Sequence, residues 1–135
     1  MIKPKKGVPV QTLTDQEDLE ISQIHNEKAL GNMILHPRPQ KSGLALAGYL
    51  KSMEKDRIQI FGNTEIGYLN QLDNEKRDTR LKNFLALKPP AILISQKQTC
   101  PNELLTLSGK NKIPLLISEL RTSLLISRIS ATLYR

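Results

Sequence analysis

Residues 56–69 read DRIQIFGNTEIGYL, a stretch that joins a strand signal directly to a helix start. Residues 57–61 predict a compact strand, with Ile58, Ile60 and Phe61 as its apolar residues, and Gly62 closes it. Residues 63–69 open with helix-capping side chains and then carry apolar residues at helical spacing. This stretch therefore predicts a strand followed directly by a helix.

The same pattern recurs twice toward the C-terminus. Residues 91–95 and 113–117 are apolar throughout, which is typical of strands that helices cover on both faces. Alternating strands and helices at these spacings predict right-handed crossovers and a parallel sheet. We expect an α/β fold, a three-layer wound and mostly parallel sheet with a β-α-β-α-β-α core over 56–135. The other helices expected are 73–85, one that begins at 101–103, and a last one capped by Thr122 and Ser123.

The chain is expected to form a single domain, residues 1–135, in which 1–43 are less regular than 44–135. Residues 44–50 predict a short apolar helix. Residues 36–43 predict a loop, because a proline biases the residue before it away from the helical conformation. Three earlier segments carry strand signals, and the first of them also suits a short helix: 8–13, 19–24 and 33–35.

Cysteine use and hydropathy indicate the compartment. The only cysteine, Cys100, cannot form an internal disulfide and fits a reducing environment. Cys100 precedes a helix start, where a thiol pKa can be lowered, but a structural role is favoured over a redox or nucleophilic one. No segment reaches the roughly 18 apolar residues of a membrane helix, and the basic residues at 1–7 lack the hydrophobic region of a signal peptide. We expect a cytoplasmic protein without a membrane partner.

The net charge of +7 does not by itself indicate nucleic-acid binding. The basic residues are scattered singly among acids, and the chain has 2 phenylalanines, 3 tyrosines and no tryptophan. Nucleic-acid surfaces usually cluster their basic residues and stack bases on aromatic rings. We therefore expect no nucleic-acid partner.

Catalytic motifs are absent from the sequence. There is no phosphate-binding G-x-x-x-x-G-K-[ST] loop, no G-x-G-x-x-G, no H-E-x-x-H, no C-x-x-C and no G-x-S-x-G. The acid pairs lie in charged stretches typical of solvated surface, and His25 and His36 suit ordinary surface or loop positions. We assign no catalytic residue, no metal ligand and no cofactor to this chain.

One geometric expectation concerns the carboxyl ends of the predicted strands. Ligands of wound parallel sheets bind beyond these ends, and helix N-termini with nearby cations favour anions such as phosphate. The alternative interpretation is that the same residues are only helix caps and surface charges. The residues of the expected ligand crevice are Asn63, Thr64, Glu65, Lys97, Arg121, Thr122 and Ser123.

Several of these segments resemble the amino-terminal domain of bacterial HPr kinase/phosphorylase. The most specific is the ungapped run D-R-I-Q-x-x-G-x-T-E-x-x-Y-L at 56–69, which a T-S-x-L-I-S segment at 122–127 follows in the expected order. The resemblance covers about two-thirds of the chain, and residues 1–40 match only loosely. The resembling segments are 43–49, 56–69, 90–95, 113–116 and 121–129.

The resemblance implies a parent enzyme of the phosphotransferase system that regulates carbon metabolism. Members of the family are cytoplasmic homohexamers that phosphorylate a serine of HPr with ATP or pyrophosphate and remove that phosphate by phosphorolysis. Their ATP-binding loop, Mg²⁺ ligands and acid/base residues lie in a carboxy-terminal kinase domain, which has no counterpart in these 135 residues. The implied partners are that kinase domain, further copies of the chain and HPr itself.

Two roles are compatible with the resemblance. The first is a non-catalytic accessory domain for assembly or regulation. Tyr49, Leu50 and Met53 would contribute an exposed apolar patch to it, although core packing explains Tyr49 and Leu50 equally well. The second is a stand-alone sensor of a small anion or nucleotide-like ligand. A further likeness, to the nucleotide-sugar-binding domain of the Mur ligases, adds some weight to a crevice, although fold analogy alone does not establish function. Because residues 133–135 carry no polar tail, we expect a domain separated from its kinase domain rather than a complete natural protein.

Overall fold

The computed structural model describes residues 7–134, which form a five-stranded sheet between two helical layers and a separate two-stranded ribbon. The expectations about residues 1–6 and Arg135 lie outside this described range. The strands are β1 (Val8–Pro9), β2 (Ile21–His25), β3 (Met33–Ile34), β4 (Gln40–Lys41), β5 (Gln59–Phe61), β6 (Ile92–Ile94) and β7 (Leu115–Ser118).

Helices alternate with these strands in the second part of the chain. The α-helices are α1 (Gln11–Thr14), α2 (Gly43–Leu46), α3 (Asn63–Gln71), α4 (Asn74–Leu85), α5 (Asn102–Lys110) and α6 (Thr122–Leu133). Short 3-10 turns lie at Glu17–Leu19, Glu27–Ala29 and Leu50–Ser52.

The main sheet has the strand order β2-β7-β6-β5-β4. Strands β4 to β7 run parallel, and β2 joins the β7 edge antiparallel. Strands β1 and β3 form the antiparallel ribbon. The predicted α/β fold with a mostly parallel sheet is therefore confirmed.

Successive residues of the central strands face opposite helical layers. Ile92 and Ile94 pack in the core beneath α3, α4 and α5, whereas Leu93 packs in the second core beneath α6. Because both faces are covered, the strand carries apolar residues on both sides. This explains why β6 and β7 are apolar runs rather than alternating ones.

The first part of the chain matches its strand signals in three places. Residues 8–13 contain both a strand and a helix, β1 and α1, and β2 and β3 fall at the second and third predicted strands. The loop expected at 36–43 is wrong in part, because β4 lies inside it and pairs with β5. Gln40 and Lys41 give no apolar signal, since a two-residue strand at the sheet edge buries little.

The short helix expected at 44–50 ends earlier than predicted. Gly48 has a φ of 117°, which breaks the helical path after Leu46. In the expected apolar patch, Tyr49 is 60% exposed and Leu50 is half-buried, but Met53 is only 8% exposed and joins the core. The inclusion of Met53 in that patch is therefore wrong.

Helix capping departs from the prediction at α3 and α6, whereas α4 has a side-chain cap that was not predicted. The Asp73 carboxylate accepts a hydrogen bond from the Lys76 N–H at 2.8 Å and caps α4. The N-cap positions of α3 and α6 are held by Gly62 and Arg121. The predicted caps lie one or two residues inside the helices instead, at Asn63, Thr64, Thr122 and Ser123.

Candidate functional site: the carboxyl edge of the sheet

The carboxyl ends of three parallel strands lie in register at one side of the sheet. Phe61 of β5 pairs with Ile94 of β6, and Ile94 pairs with Ile117 of β7. Helices α3 and α6 begin just beyond these ends, so two helix N-termini lie at the same side. We call this region the carboxyl edge; it comprises residues 62–65, 95–98 and 121–123.

The two helix starts meet at Gly62. A Cβ built on Gly62 would lie 2.7 Å from Thr122 Oγ1 and 3.4 Å from Glu65 Oε1. The Thr122 hydroxyl is also hydrogen-bonded to the Ser95 hydroxyl at 2.6 Å, which links α6 to the end of β6. Glycine is required at position 62 because any side chain would displace the Thr122 hydroxyl.

Glu65 is the buried acid of the carboxyl edge, with 2% of its surface exposed. Its Oε1 accepts a hydrogen bond from the Gly62 N–H at 2.7 Å. Its Oε2 points toward the start of α2, where it lies 3.1 Å from the position that a Cβ on Gly43 would take. Glu65 therefore satisfies a backbone N–H at the start of α3 that has no partner within the helix.

A turn with two left-handed residues follows β6. Gln96 and Lys97 have φ values of 59° and 51°, and their N–H groups donate to Leu120 and Ser118 carbonyls at 2.8 Å each. Left-handed residues other than glycine cost on the order of 1–3 kcal/mol each and cluster at functional sites. This turn is the feature of the carboxyl edge that most favours a function there.

Two of the seven predicted crevice residues come together around Gly62. These are Glu65 and Thr122, whose side chains point inward. The remaining five have exposed side chains that take part in none of the hydrogen bonds described for residues 7–134: Asn63, Thr64, Lys97, Arg121 and Ser123. Ser95 and Gly62 belong to the same constellation but were not predicted, although a glycine between a strand and a helix was a usable signal.

The chemistry available at the carboxyl edge is that of a shallow anion site. Lys97 and Arg121 supply cations near two helix N-termini, which favour negative charge. The Ser95–Thr122 hydroxyl pair and the Glu65 carboxyl are already engaged in hydrogen bonds of the fold. A ligand at this edge would therefore contact the exposed side chains of the carboxyl edge. The ligand crevice itself stays a prediction.

Cys100 lies between the left-handed turn and α5. Burial raises the pKa of the Cys100 thiol from 9.0 to about 12, against a smaller lowering by the Leu105 backbone. The thiol donates a weak hydrogen bond to the Pro101 carbonyl at 3.4 Å. A thiol with so high a pKa stays protonated at neutral pH, which favours the structural interpretation of this cysteine.

Arg77 holds three helix ends together beside this region. Its guanidinium donates to the carbonyls of Leu69 and Leu72 at 2.7 and 2.6 Å and to the Glu103 carboxylate at 3.0 Å. The N–H of Glu103 itself, followed by the Arg77 hydrogen bond, lowers the pKa of Glu103 below its ordinary value of 4.5. The perturbed carboxylate is thus explained by an ion pair that joins α5 to the α3–α4 junction.

The opposite side of the sheet, where β5, β6 and β7 begin, carries two adjoining cavities that the sequence analysis missed. Their volumes are about 820 and about 680 Å³, and both are lined by Asn32 and Lys112. We call this pair of cavities the amino-edge groove. A sequence signal was available, because Lys88 and Lys112 stand just after α4 and α5, where glycine is the usual residue.

Residues 7–134 lack both a membrane-spanning helix and a cluster of metal-binding side chains. Over residues 7–134, no helix combines the length and the apolar character that crossing a membrane requires. The same residues bring together no group of three or more histidine, cysteine or acidic side chains suited to a metal ion.

These features define a small wound α/β domain, and comparison with known proteins identifies its family. The family model described as "HPr Serine kinase N terminus" matches residues 8–133. The chain therefore belongs to the HPr serine kinase N-terminal family, as the resemblance at residues 56–69 indicated.

The curated relatives are HPr kinase/phosphorylases. The chain is 31% identical over 121 residues to the enzyme of Bacillus subtilis, an alignment that covers 90% of this chain and 39% of that protein. It is 34% identical over 118 residues to the enzyme of Listeria innocua (87% and 37% covered) and 36% identical over 98 residues to that of Chlorobium chlorochromatii (72% and 29% covered). The chain thus spans about two fifths or less of the length of these relatives.

A solved structure supports the fold. It contains the CBS and DRTGG domains of the regulatory region of Clostridium perfringens pyrophosphatase, complexed with the activator diadenosine tetraphosphate. It superposes with a TM-score of 0.56 at 14% identity and covers 96% of this chain and 51% of that chain. At this level of identity the likeness concerns the fold alone.

Proposed function

We propose that this chain is a non-catalytic accessory domain of a cytoplasmic HPr kinase/phosphorylase and that it serves the assembly or regulation of that enzyme. The observation that carries the proposal is the extent of the family match. Residues 8–133 match a family described as the N terminus of the kinase, while the alignment covers only 39% of the Bacillus subtilis enzyme. The chain then corresponds to the part of the enzyme that precedes its catalytic machinery.

The state of the polar side chains is consistent with this role. The buried hydroxyls and the buried acid of the carboxyl edge bond to one another or to backbone. The Cys100 thiol is held in its protonated form by its raised pKa. We propose that ATP or pyrophosphate, Mg²⁺ and HPr bind to the parent enzyme outside this chain.

A surface for assembly is available near α2. Leu44 and Tyr49 are 66% and 60% exposed, although leucine and tyrosine are usually at least partly buried. We propose that this surface contacts the kinase domain or another copy of the chain in the parent homo-oligomer.

A chimeric enzyme tests the accessory role. This chain would replace the matching N-terminal region of the Bacillus subtilis enzyme, and HPr phosphorylation with ATP would be measured beside light scattering for the oligomeric state. We expect the chain alone to transfer no phosphate, the chimera to do so, and removal of the region to change the oligomer or its regulation. Turnover by the chain alone, or a deletion that matches the chimera in every respect, would contradict the proposal.

A second candidate function, the sensing of a small anion at the carboxyl edge, is favoured by the left-handed turn at Gln96 and Lys97. The pyrophosphatase region of similar fold is described as complexed with an activator, and this supports ligand sensing as a candidate function. Thermal denaturation with a panel of phosphorylated metabolites and nucleotides tests this candidate. A specific ligand at a hundredfold excess over its Kd would add roughly 2.7 kcal/mol of stability, whereas a pure scaffold would show no shift.

A further inference from the structure

The amino-edge groove has the size of a small-molecule site. Its two lobes, of about 820 and about 680 Å³, fall in the range of typical ligand pockets, roughly 300–1,000 Å³ each. The apolar lobe is lined by Ile24 and Ala29 with the polar residues around them, and the lysine lobe by Lys55, Lys88 and Lys112. Asn32 and Lys112 line both lobes, so the two lobes adjoin at these residues.

Lys112 ends α5 in a left-handed conformation. Its φ is 57°, its N–H donates to the Gly109 carbonyl at 3.2 Å, and the next N–H, of Ile113, donates to the Ser108 carbonyl at 3.0 Å. This pair of bonds is the Schellman motif, in which glycine commonly occupies the left-handed position. A lysine therefore stands where a glycine would fit without strain.

Lys88 repeats the left-handed conformation at the end of α4 but not the full pair of bonds, because residue 89 is proline and has no N–H to donate. Its φ is 58°, and its N–H donates to the Leu85 carbonyl at 3.0 Å. A left-handed conformation is less favourable for an L-residue than for glycine, because the Cβ lies too close to the following carbonyl oxygen. Two helices thus accept the same cost at the same groove, and backbone strain of this kind is often retained for function.

The two helix ends are tied to each other. The Lys88 ammonium donates to the Asn111 carbonyl at 3.1 Å, across the gap between the ends of α4 and α5. The Asn32 side chain donates to the Lys112 carbonyl at 3.0 Å and to the Pro90 carbonyl at 3.4 Å. The backbone of the lysine lobe is therefore fixed at the two helix ends, and the Lys88 ammonium is held across them.

The groove is electropositive. Four lysines line it, Lys28 in addition to the three of the lysine lobe, against two acids, Glu27 and Asp56. None of these lysines takes part in the ion pairs found among residues 7–134. The C-termini of α4 and α5 carry about half a negative charge each, so the balance at the groove stays positive even with the dipoles included.

We propose that the amino-edge groove binds a small organic phosphate. The phosphate would lie in the lysine lobe between Lys88 and Lys112. The two ammonium groups would donate charge-assisted hydrogen bonds to it, which are stronger than hydrogen bonds between neutral groups. The organic part would lie in the apolar lobe against Ile24 and Ala29. This site is separate from the carboxyl edge, and its occupation does not depend on whether the chain works within a kinase.

Amide NMR titration of the full chain tests the site with three probes: phenyl phosphate, inorganic phosphate and benzyl alcohol. Inorganic phosphate should shift the amides of residues 87–88 and 110–113, and phenyl phosphate should in addition shift those of 24–29. Phenyl phosphate should bind several-fold more tightly than inorganic phosphate, because only phenyl phosphate fills both lobes. Benzyl alcohol, which lacks the anion, should show no saturable binding.

Two single variants, Lys88→Asn and Lys112→Asn, separate the role of charge from that of folding. Asparagine tolerates the left-handed conformation, so both variants should stay folded, and only Lys88→Asn should lose a little stability with its bond to the Asn111 carbonyl. Each variant should weaken phenyl phosphate binding by roughly tenfold. Lys97→Asn is the matched control, since it removes a left-handed lysine from the carboxyl edge. Its affinity for phenyl phosphate should equal that of the unmodified chain.

Three results would overturn the proposal. One is the absence of saturable shifts at the groove with phenyl phosphate. Another is a set of shifts centred on residues 62–65 and 121–123, which would assign the anion to the carboxyl edge. The last is an equal loss of affinity in Lys97→Asn, which would mean that only net charge matters.

Discussion

The two sides of the same sheet differ in how far their polar side chains are engaged in bonds of the fold. At the carboxyl edge, the Ser95 and Thr122 hydroxyls bond each other and the Glu65 carboxyl accepts the Gly62 N–H, so the inward-facing groups satisfy one another. At the amino edge, Lys88 and Lys112 hold left-handed positions beside an open groove and take part in no described ion pair.

This difference teaches that topology indicates where ligands usually bind, while local bonding decides which groups are available to a ligand. The general rule for wound sheets points to the carboxyl ends of the strands. In this domain the buried polar groups of the carboxyl edge already form the hydrogen bonds that join α6 to β6 and that cap α3. The measurements below test each side of that contrast, beginning with the largest expected effect.

The reactivity of Cys100 tests how well the segment beside the carboxyl edge shields the Cys100 thiol from solvent. A rise in pKa from 9.0 to about 12 lowers the thiolate fraction at neutral pH by roughly a thousandfold. Iodoacetamide should therefore label the folded protein about a thousandfold more slowly than the protein in guanidinium chloride, as followed by mass spectrometry. Equal labelling rates in the two states would mean that this segment is open and that the contrast fails on this side.

Gly62→Ala tests whether the carboxyl edge is as tightly joined as the distances suggest. The added Cβ would meet Thr122 Oγ1 at 2.7 Å, so we expect a loss of roughly 2 kcal/mol in the free energy of unfolding, measured in urea. Gly67→Ala is the matched control, because a Cβ there has no neighbour within 4 Å. The control should gain roughly 0.5–1 kcal/mol from its helical position. If the two variants behave alike, the close contact at Gly62 does not constrain the fold.

Lys112→Gly tests whether the lysine at this left-handed position lowers the free energy of unfolding relative to glycine. Glycine has no steric cost at a φ of 57°, so the variant should gain roughly 1 kcal/mol in the free energy of unfolding. Lys110→Gly removes a lysine from the last turn of α5 itself and should lose a similar amount. A destabilised Lys112→Gly variant would show that the lysine supports the fold and would weaken the contrast.

Acid unfolding gives the smallest effect and concerns the Arg77–Glu103 pair. The pKa of Glu103 is lowered in the folded state, so its stabilising contribution is fully present above the ordinary value of 4.5 and is lost as the pH falls through the folded pKa. Glu103→Gln should therefore flatten the decline of stability between about pH 5 and about pH 3, as measured by urea unfolding at each pH. Parallel pH profiles for the two proteins would exclude a role of this pair in acid stability.

The sequence predicted the central architecture because burial leaves a simple pattern. Residues 91–95 and 113–117 are apolar on both sides, and only strands between two helical layers need that. The helix at 73–85 was predicted because Leu81, Phe84 and Leu85 recur on one stripe, and these three side chains are buried in the core. In each case the apolar pattern in the local sequence agreed with the burial that the packing of the whole domain requires.

The remaining features depend on contacts that no local pattern encodes. β4 escaped prediction because Gln40 and Lys41 form a strand only through pairing with β5. Thr122 was predicted as a cap, yet its hydroxyl bonds Ser95, 27 residues earlier in the chain. The amino-edge groove requires the ends of α4 and α5 to lie side by side, which follows from the sheet order and not from either helix alone.

The antiparallel pairing of β2 with β7 has a consequence for the timing of folding. The Ser118 hydroxyl donates to the Leu19 carbonyl at 2.6 Å across 99 residues of chain, and β2 has no other strand beside it in the sheet. At about 5–20 residues per second, a ribosome takes roughly 5 to 20 seconds to make that intervening stretch. During this interval Ile21 and Ile24, the apolar side chains of β2, lack the strand beside which they are partly buried, so β2 can join the sheet only after β7 emerges.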